Sequence, residues 1–468
     1  MFSTRSRPAA ALFLAGCICV LSPAPAAVGG DREVERWGRW EATFEGPATG
    51  NPDRDVTLTA TFRQGETTLR VAGFYDGEGT YRLRFMPPSI GEWTYVVQSS
   101  RAELDGKQGR LTCVAPSGRN HGPVVVHDTF HFAYADGTPY RPIGTTCYAW
   151  THQDDALEQQ TLETLKTSPF NKIRMCVFPK NYAFNATEPP RYPFPGKPGS
   201  FDKSRFNPPF FRHLEQRLQQ LQDLGIEADP FEHLLSIHNA FRIYNHSQPW
   251  ITHASIQNGS AVAEHGRGVL YRDVYRKPIV FDEAKYEGNI EQRWGNISAE
   301  EMVHRFWIGT IEGMYVGHGE TLKHPENILW WAKGGELHGA SPARIAFLKK
   351  VLESNPPGGI EPIDKWQESR MGGRPGEFGI LYFGKETPSE WTVSLPHSYS
   401  EKSLTVRMEI IDAWNMTVTP IDGTFPLERT SKYKLTCPSR PTISLPGLPM
   451  QAIRIVTVKP TANVSSLK

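Results

Sequence analysis

A chain of 468 residues carrying a formal net charge of +1 has length for about two to four domains of ordinary size. Its Lys and Arg are spread without a long block, which excludes the electrostatic footprint of a nucleic-acid or membrane-surface binder. Aromatic residues make up 11%, with 12 Trp, a content suited to β-sandwich cores and to faces that stack on sugar rings.

Residues 1–27 carry Arg5 and Arg7, an apolar run from Ala9 to Leu21, and the small residues Ala24-Pro-Ala-Ala27. That order predicts a secretory signal peptide and an exported, secreted or periplasmic, mature chain. Within it, Leu14-Ala-Gly-Cys17 resembles a lipoprotein cleavage box, so anchoring at Cys17 stands as an alternative. No other segment is long and apolar enough to span a bilayer. Cys113, Cys147, Cys176 and Cys437 lie far apart without C-x-x-C spacing, which argues against a zinc or redox motif.

Residues 31–118 read as all-β. Runs at Val56 to Phe62, Thr68 to Phe74, Thr80 to Phe85, Trp93 to Gln98 and Gly109 to Val114 are separated by turns such as Asp76-Gly77 and Pro87-Pro88. This spacing predicts a small Ig-like sandwich, with Trp37, Trp40 and Phe44 on its first strand as core residues.

Beyond the linker Ser117 to Pro123, residues 123–358 change rhythm. A hairpin over Phe130 to Ile143 leads into Gly144-Thr-Thr-Cys-Tyr-Ala-Trp150, followed by a helix over Asp155 to Thr167 and a strand over Lys172 to Phe178. Phe210, Phe211, Leu214, Leu218, Leu221 and Leu224 then recur at helical spacing. Strand–helix alternation implies a parallel sheet, and the long loop between Asn181 and Pro209 is placed to shape a cleft. Further strands end at His238-Asn239, include His253 in Ile251 to Ile256, and end at Glu283 and at Gly317-His318. Ser298-Ala-Glu-Glu301 is a capping box for the next helix, and Ser341-Pro342 reads as cap and first residue of another. Residues 362–460 turn all-β again and predict a second sandwich-like domain.

The stretch Lys277-Pro-Ile-Val-Phe-Asp-Glu-Ala-Lys-Tyr-Glu-Gly288 leads from three strand formers into acids. A carboxylate where a buried strand becomes a loop is how a (β/α) barrel presents catalytic groups. Glu283 is therefore the candidate nucleophile, with Asp282 in support and Glu287 as the substitute. An acid in this position equally often caps the next helix or pairs with an Arg.

Gly144-Thr-Thr-Cys-Tyr-Ala-Trp150, Lys172-Ile-Arg-Met175, Ser236-Ile-His-Asn239, Thr252-His253 and Phe281-Asp-Glu-Ala-Lys-Tyr-Glu-Gly288 together resemble the apiosidase-like glycoside hydrolases. The resemblance implies a retaining (β/α)8 TIM-type barrel between an N-terminal Ig-like domain and a C-terminal β-domain. It implies Glu283 as nucleophile, Arg174, Asn239 and His253 lining the sugar site, and Tyr148, Trp150 and Trp331 as stacking surfaces. No cofactor or metal is implied, the partner is a carbohydrate, and the sequence specifies no oligomeric state.

Retaining hydrolysis needs a second carboxyl about 5 to 5.5 Å from the first, and in barrels of this type it ends the fourth strand. Here Gly225-Ile-Glu-Ala-Asp229 runs directly into Pro230-Phe-Glu-His-Leu-Leu-Ser-Ile-His-Asn239, where a βα unit needs about 30 residues or more. The third and fourth βα units are thus expected to be missing, leaving an incomplete barrel without its acid/base. Three readings follow: an impaired glycosidase; one in which Asp229, Glu232 or Glu227 takes the acid role; or a carbohydrate-binding or scaffold protein without turnover. A metallohydrolase is disfavoured because the His residues show neither H-x-H nor H-E-x-x-H spacing, and a Ser nucleophile because no G-x-S-x-G elbow occurs.

Overall fold

The computed structural model describes residues 33–227, 234–239, 242–326 and 328–458; the expected signal segment, Cys17, Asp229 and Glu232 lie outside them. The chain divides into two compact units, the first built mainly from residues 39–85 and 89–114 and the second from residue 115 onward.

In the first unit, period-two alternation sorts side chains to one core. Strand Trp40–Glu45 turns Trp40, Ala42 and Phe44 inward, and its antiparallel partner Thr80–Phe85 contributes Tyr81, Leu83 and Phe85. A second antiparallel sheet orders Gln108–Val114, Gly91–Ser99, Leu58–Gln64 and Thr67–Ala72. Phe62 from this sheet stacks on Phe85 from the other, with Trp93 edge-on to Phe85 at 5.1 Å. Trp37, expected on the first strand, lies outside it. Its backbone is left-handed at φ 64° and Arg36 covers its ring at 4.1 Å.

The second unit is organised by six short strands: β1 (Gly144–Thr146), β2 (Lys172–Arg174), β3 (His238–Asn239), β4 (Ala254–Ile256), β5 (Ile279–Phe281) and β6 (Tyr315–His318). All pair in parallel, in the order β2-β1-β6-β5-β4-β3. The sheet is an open half-barrel. Among the described residues no strand lies between β2 and β3, so these two stand as its edges. Parallel strands buried on both faces are dominated by apolar residues, as Ile279, Val280 and Phe281 illustrate.

Among the described residues five helices of seven residues or more accompany the strands: α1 (Asp155–Thr167), α2 (Pro208–Asp223), α3 (Val269–Tyr275), α4 (Ala299–Ile311) and α5 (Ser341–Glu353). The Asp154 side chain caps α1 by accepting the Ala156 and Leu157 N–H groups. Ser298 caps α4 by accepting from Glu301 N–H at 3.3 Å, as the capping box predicts. At α5 the cap position is Ala340, and Ser341, expected there, is already helical. Helix α4 buries residues all round, including Met302, Phe306, Trp307 and Ile311, the mark of a core helix. One side packs Phe281 and Val316 of the parallel sheet, and the other packs Ile380 and Tyr382 of the C-terminal sheet, in one core cluster.

That C-terminal sheet has eight strands, ordered Glu361–Asp364, Glu368–Arg374, Phe378–Tyr382, Gln451–Thr457, Leu404–Asp412, Thr417–Arg429, Lys434–Thr436 and Ser394–Pro396. Val406, Met408, Leu427, Leu435 and Ile453 give it a core of its own. A small antiparallel sheet (Val124–His127, His131–Tyr134, Pro139–Tyr140) packs Val124, Phe132 and Tyr140 against Val280. Cys113, Cys147, Cys176 and Cys437 are free thiols. No helix among the described residues is long and apolar enough to cross a membrane.

Candidate active site

Strand β5 delivers two acids to the C-terminal edge of the sheet. Lys172 and Arg174 sit two residues apart on β2 and so share a face; each reaches one of those acids. Lys172 Nζ donates to Asp282 Oδ1 at 2.7 Å, and Arg174 Nη1 donates to Glu283 Oε1. From β1, Tyr148 Oη donates to the same Glu283 oxygen while accepting from Arg174 Nη1 at 2.7 Å. Neighbouring β6 approaches so closely that a Cβ on Gly317 would stand 2.8 Å from the Asp282 carbonyl oxygen. Only glycine fits there without a backbone shift.

On the far side of β5, His238 pairs in register with Ser255. The Ser255 hydroxyl donates to Asp282 Oδ2 at 2.5 Å, and His238 Nδ1 lies 2.9 Å from the same hydroxyl oxygen. A hydroxyl has one proton, so His238 Nδ1–H is the donor in that contact and Nε2 is left facing Glu283. Nε2 lies 3.3 Å from Glu283 Oε1, close but too oblique for a hydrogen bond.

Burial by itself raises the pKa of Glu283, but the adjoining His238 ring, Arg174 and Tyr148 outweigh it and hold the carboxyl down at about 2. Asp282 is likewise held far below the usual carboxylate range. Its burial penalty is overcome by Lys172, Arg174 and the Ser255 hydroxyl. Burial and the neighbouring Glu283 push the Tyr148 phenol up, so it serves as a donor. Both acids are therefore ionised, and neither is a proton donor. Among the described residues the hydrogen bonds and ion pairs of the Glu283 carboxylate fall on Oε1, not on Oε2.

The other residues singled out in the sequence divide. Trp331 stands edge-on to Tyr148 at 5.3 Å, but at 8% exposure it is packed among Tyr182, Phe184, Tyr286 and Trp294. Lys180, from the long loop after β2, lies over the Tyr148 ring at 5.2 Å. Trp150 is corrected: it is fully buried with Cys147, Leu162, Leu165 and Trp330, so it has no face for a sugar. Asn239 is corrected too. It is 3% exposed and registers with Ile256 on the face that packs the main core, and its Oδ1 accepts from Gln257 N–H. His253 precedes β4 and so lies at the opposite end of the strands from Glu283, lining a cavity of about 250 Å³ with Phe132, Tyr140, Leu234 and Val280. Glu227 lines that same cavity, where it is a hydrogen-bond partner of Tyr134. Glu287 is no substitute nucleophile. Its carboxylate is buried at the start of α5, accepting from Ala340 N–H at 2.8 Å and from the Ser341 N–H and hydroxyl.

Three contributors escaped the sequence reading: Lys172, Ser255 and His238 in this role. Period two from Arg174 back to Lys172 is the signal for the first. Two groups among the described residues have metal-ligand spacing, Asp155/Glu158/His213 and Glu287/His318/Glu320. In the first, Glu158 already accepts from Arg217 and contacts His213 Nε2, each at 2.7 Å. In the second, both carboxylates receive backbone N–H groups where α5 begins.

The curled parallel sheet with acids at its C-terminal edge is a glycoside-hydrolase-like fold. A crystal structure described as a "putative glycoside hydrolase" from Bacteroides vulgatus is 34% identical, with 92% of this chain and 100% of that chain covered and a TM-score of 0.87. The chain belongs to the same family as that protein. A glycoside hydrolase family 5 structure from Bacteroides vulgatus is 12% identical over 72% of this chain and 94% of its own, with a TM-score of 0.49; likeness at that level carries no argument about function. Two domain families also match: a domain of unknown function (DUF5060) over residues 33–100 and another (DUF5605) over residues 366–456. No curated protein matches.

Proposed function

We propose that the chain is an exported O-glycosidase of the apiosidase-like type, acting on complex, plant-type polysaccharide by a retaining mechanism with Glu283 as nucleophile. The observation that carries this reading is the Glu283 carboxylate at the end of β5, held ionised by Arg174, Tyr148 and the His238 ring through Oε1, with no partner on Oε2 among the described residues. In this mechanism Oε2 attacks the anomeric carbon, the glycosidic C–O bond breaks, and water later releases the sugar from the glycosyl ester. The half-barrel is read as a (β/α)8 barrel lacking its third and fourth units, between an N-terminal sandwich over residues 31–118 and a C-terminal β-domain over 362–460.

The acid partner is the weak point of this chemistry. The carboxylate adjoining Glu283 in the chain is Asp282, whose oxygens are taken by Lys172 and Ser255. Turnover of polysaccharide is therefore impaired, since acid assistance is worth about 10²- to 10⁴-fold, and substrates whose leaving group departs without protonation are least affected. Aryl glycosides with strongly acidic phenols test it: wild type should turn them over and Glu283→Gln should not. Equal turnover by both proteins removes Glu283 from the mechanism. A second reading, a carbohydrate-binding protein without turnover, is favoured by the ionised state of both acids. Oligosaccharide binding without cleavage of any activated glycoside would establish it.

A further inference from the structure

The turn joining strands Glu361–Asp364 and Glu368–Arg374 lifts Trp366 into solvent. At 77% exposure it is the most exposed large apolar side chain among the described residues. The turn is preset, because Asp364 Oδ1 accepts the Trp366 and Gln367 N–H groups at 3.1 and 2.9 Å. Lys365, anchored on Asp273 at 2.5 Å, stands over the indole at 5.4 Å and restricts its swing. An indole held in water in one orientation contributes nothing to the core and is available to a ligand.

Trp366 borders a cavity of about 490 Å³, with Phe383 and the charged groups of Glu264, Arg370, Lys385 and Glu386. That volume falls in the range of small-molecule sites, about 300 to 1,000 Å³. Its charges are mutually compensated. Arg370 is clamped by Glu368 at 2.7 and 2.9 Å and by Glu386 at 2.8 Å; Lys385 pairs with Glu301 at 2.7 Å and Glu264 with Arg267 at 2.5 Å. Such pairs leave donors and acceptors pre-oriented without an excess of positive charge, so an anionic ligand finds no counter-charge. A polyhydroxylated neutral ring suits this wall. Its hydroxyls meet the ion pairs, and its C–H face meets an indole.

We propose that this cleft is a second, non-catalytic binding site for neutral oligosaccharide, with Trp366 as stacking platform and Arg370, Lys385 and Glu386 as hydroxyl partners. It shares no residue with the Glu283 cluster. Only the choice of oligosaccharide rests on the glycosidase reading. The test is affinity electrophoresis of the intact chain through neutral polysaccharides (arabinoxylan, arabinogalactan, galactomannan, xyloglucan), comparing wild type, Glu283→Gln, Trp366→Ala and Trp366→Phe. Circular dichroism of each variant checks its fold, which an exposed turn residue should not disturb.

At least one polysaccharide should retard wild type and Glu283→Gln alike. Trp366→Ala should lose about tenfold or more in apparent affinity, as expected when an aromatic platform is removed, and Trp366→Phe should keep most of it. Wild-type migration unaffected by every polysaccharide overturns the site, as does retardation of Trp366→Ala equal to wild type. Trp366-dependent binding in a chain inert toward aryl glycosides supports this site while removing the glycosidase reading. Glu283-dependent turnover with no Trp366 effect does the reverse.

Discussion

Arg174 and Glu283 are in direct contact although their strands are three places apart in the sheet, β2 and β5 being separated by β1 and β6. At about 4.8 Å per interval a flat sheet would hold those strands roughly 14 Å apart, beyond the reach of an arginine. The sheet is therefore curled as a barrel wall is curled, and its concave side gathers the charged groups. His238, two places from β5 on the opposite flank, closes on the same oxygen.

Removal of Arg174 tests how Glu283 is kept ionised. With Arg174→Met the carboxyl should rise from about 2 by about one unit or more. Because the attacking form is the carboxylate, the acid limb of kcat/KM on aryl glycosides should move to higher pH. A carboxyl NMR titration of Glu283 reads the same shift without turnover. An unmoved limb and an unmoved titration would detach Arg174 from this role.

Ser255→Ala should loosen His238 while leaving the fold intact. It removes both the donor to Asp282 and the acceptor of His238 Nδ1–H. Turnover of activated glycosides should fall about tenfold or more, as misplaced active-site groups typically cost, with the melting temperature changing little. A large loss of Tm without a specific loss of kcat would make Ser255 a structural residue.

Trp150 tests packing against recognition. Trp150→Ala should destabilise by about 3–5 kcal/mol, the usual cost of emptying a large buried aromatic site, because the ring is wholly enclosed. Chemical denaturation should report that loss, and KM for any surviving activity should stay near wild type. Raised KM with unchanged stability would return Trp150 to the sugar site.

The pH dependence of stability should have two limbs. Burial, then the neighbouring Glu287, raises Glu320 to about 7, against the lowering effect of its two backbone N–H donors. Burial likewise raises Glu312 to about 7. For a raised carboxyl the folded state holds the proton more tightly. The stability from these two groups is thus full below the ordinary carboxylate range and declines as pH rises toward 7. Glu283 is lowered, so its contribution is present above the ordinary range and is lost as pH falls toward about 2. Buried His253, His265 and His318, held below the ordinary imidazole range by burial, act in the opposite sense, their contribution being lost as pH falls. The Glu320 contribution is therefore read by difference: the stability of wild type relative to Glu320→Gln should decline as pH rises from about 5 to 7, and a difference that stays constant over that interval would contradict this assignment.

Much of the local structure was legible because its causes are local. Helix α1 spans Asp155–Thr167 as read, β5 spans Ile279–Phe281 as read, and the Ser298 cap sits where its capping box places it. Strand ends were less legible. The run from Lys172 to Phe178 supports a strand only to Arg174, since pairing with β1 sets its length and local propensity does not.

Facing was the least legible property. Strand β3 is two residues long, too short for alternation to say whether His238 or Asn239 turns inward. Its register with Ser255 and Ile256 decides that His238 does. The sequence by itself determined the order of strands and helices, the all-β flanks, and an acid at the end of β5, because propensity, capping and period act within a few residues. The tertiary structure alone decided that Trp150 is core, that His253 lies at the other end of the sheet, and that Lys172, Arg174, Ser255 and His238 converge on Asp282 and Glu283. Those outcomes depend on curvature and pairing between segments as much as 110 residues apart, and no local pattern encodes which groups a curled sheet will bring together.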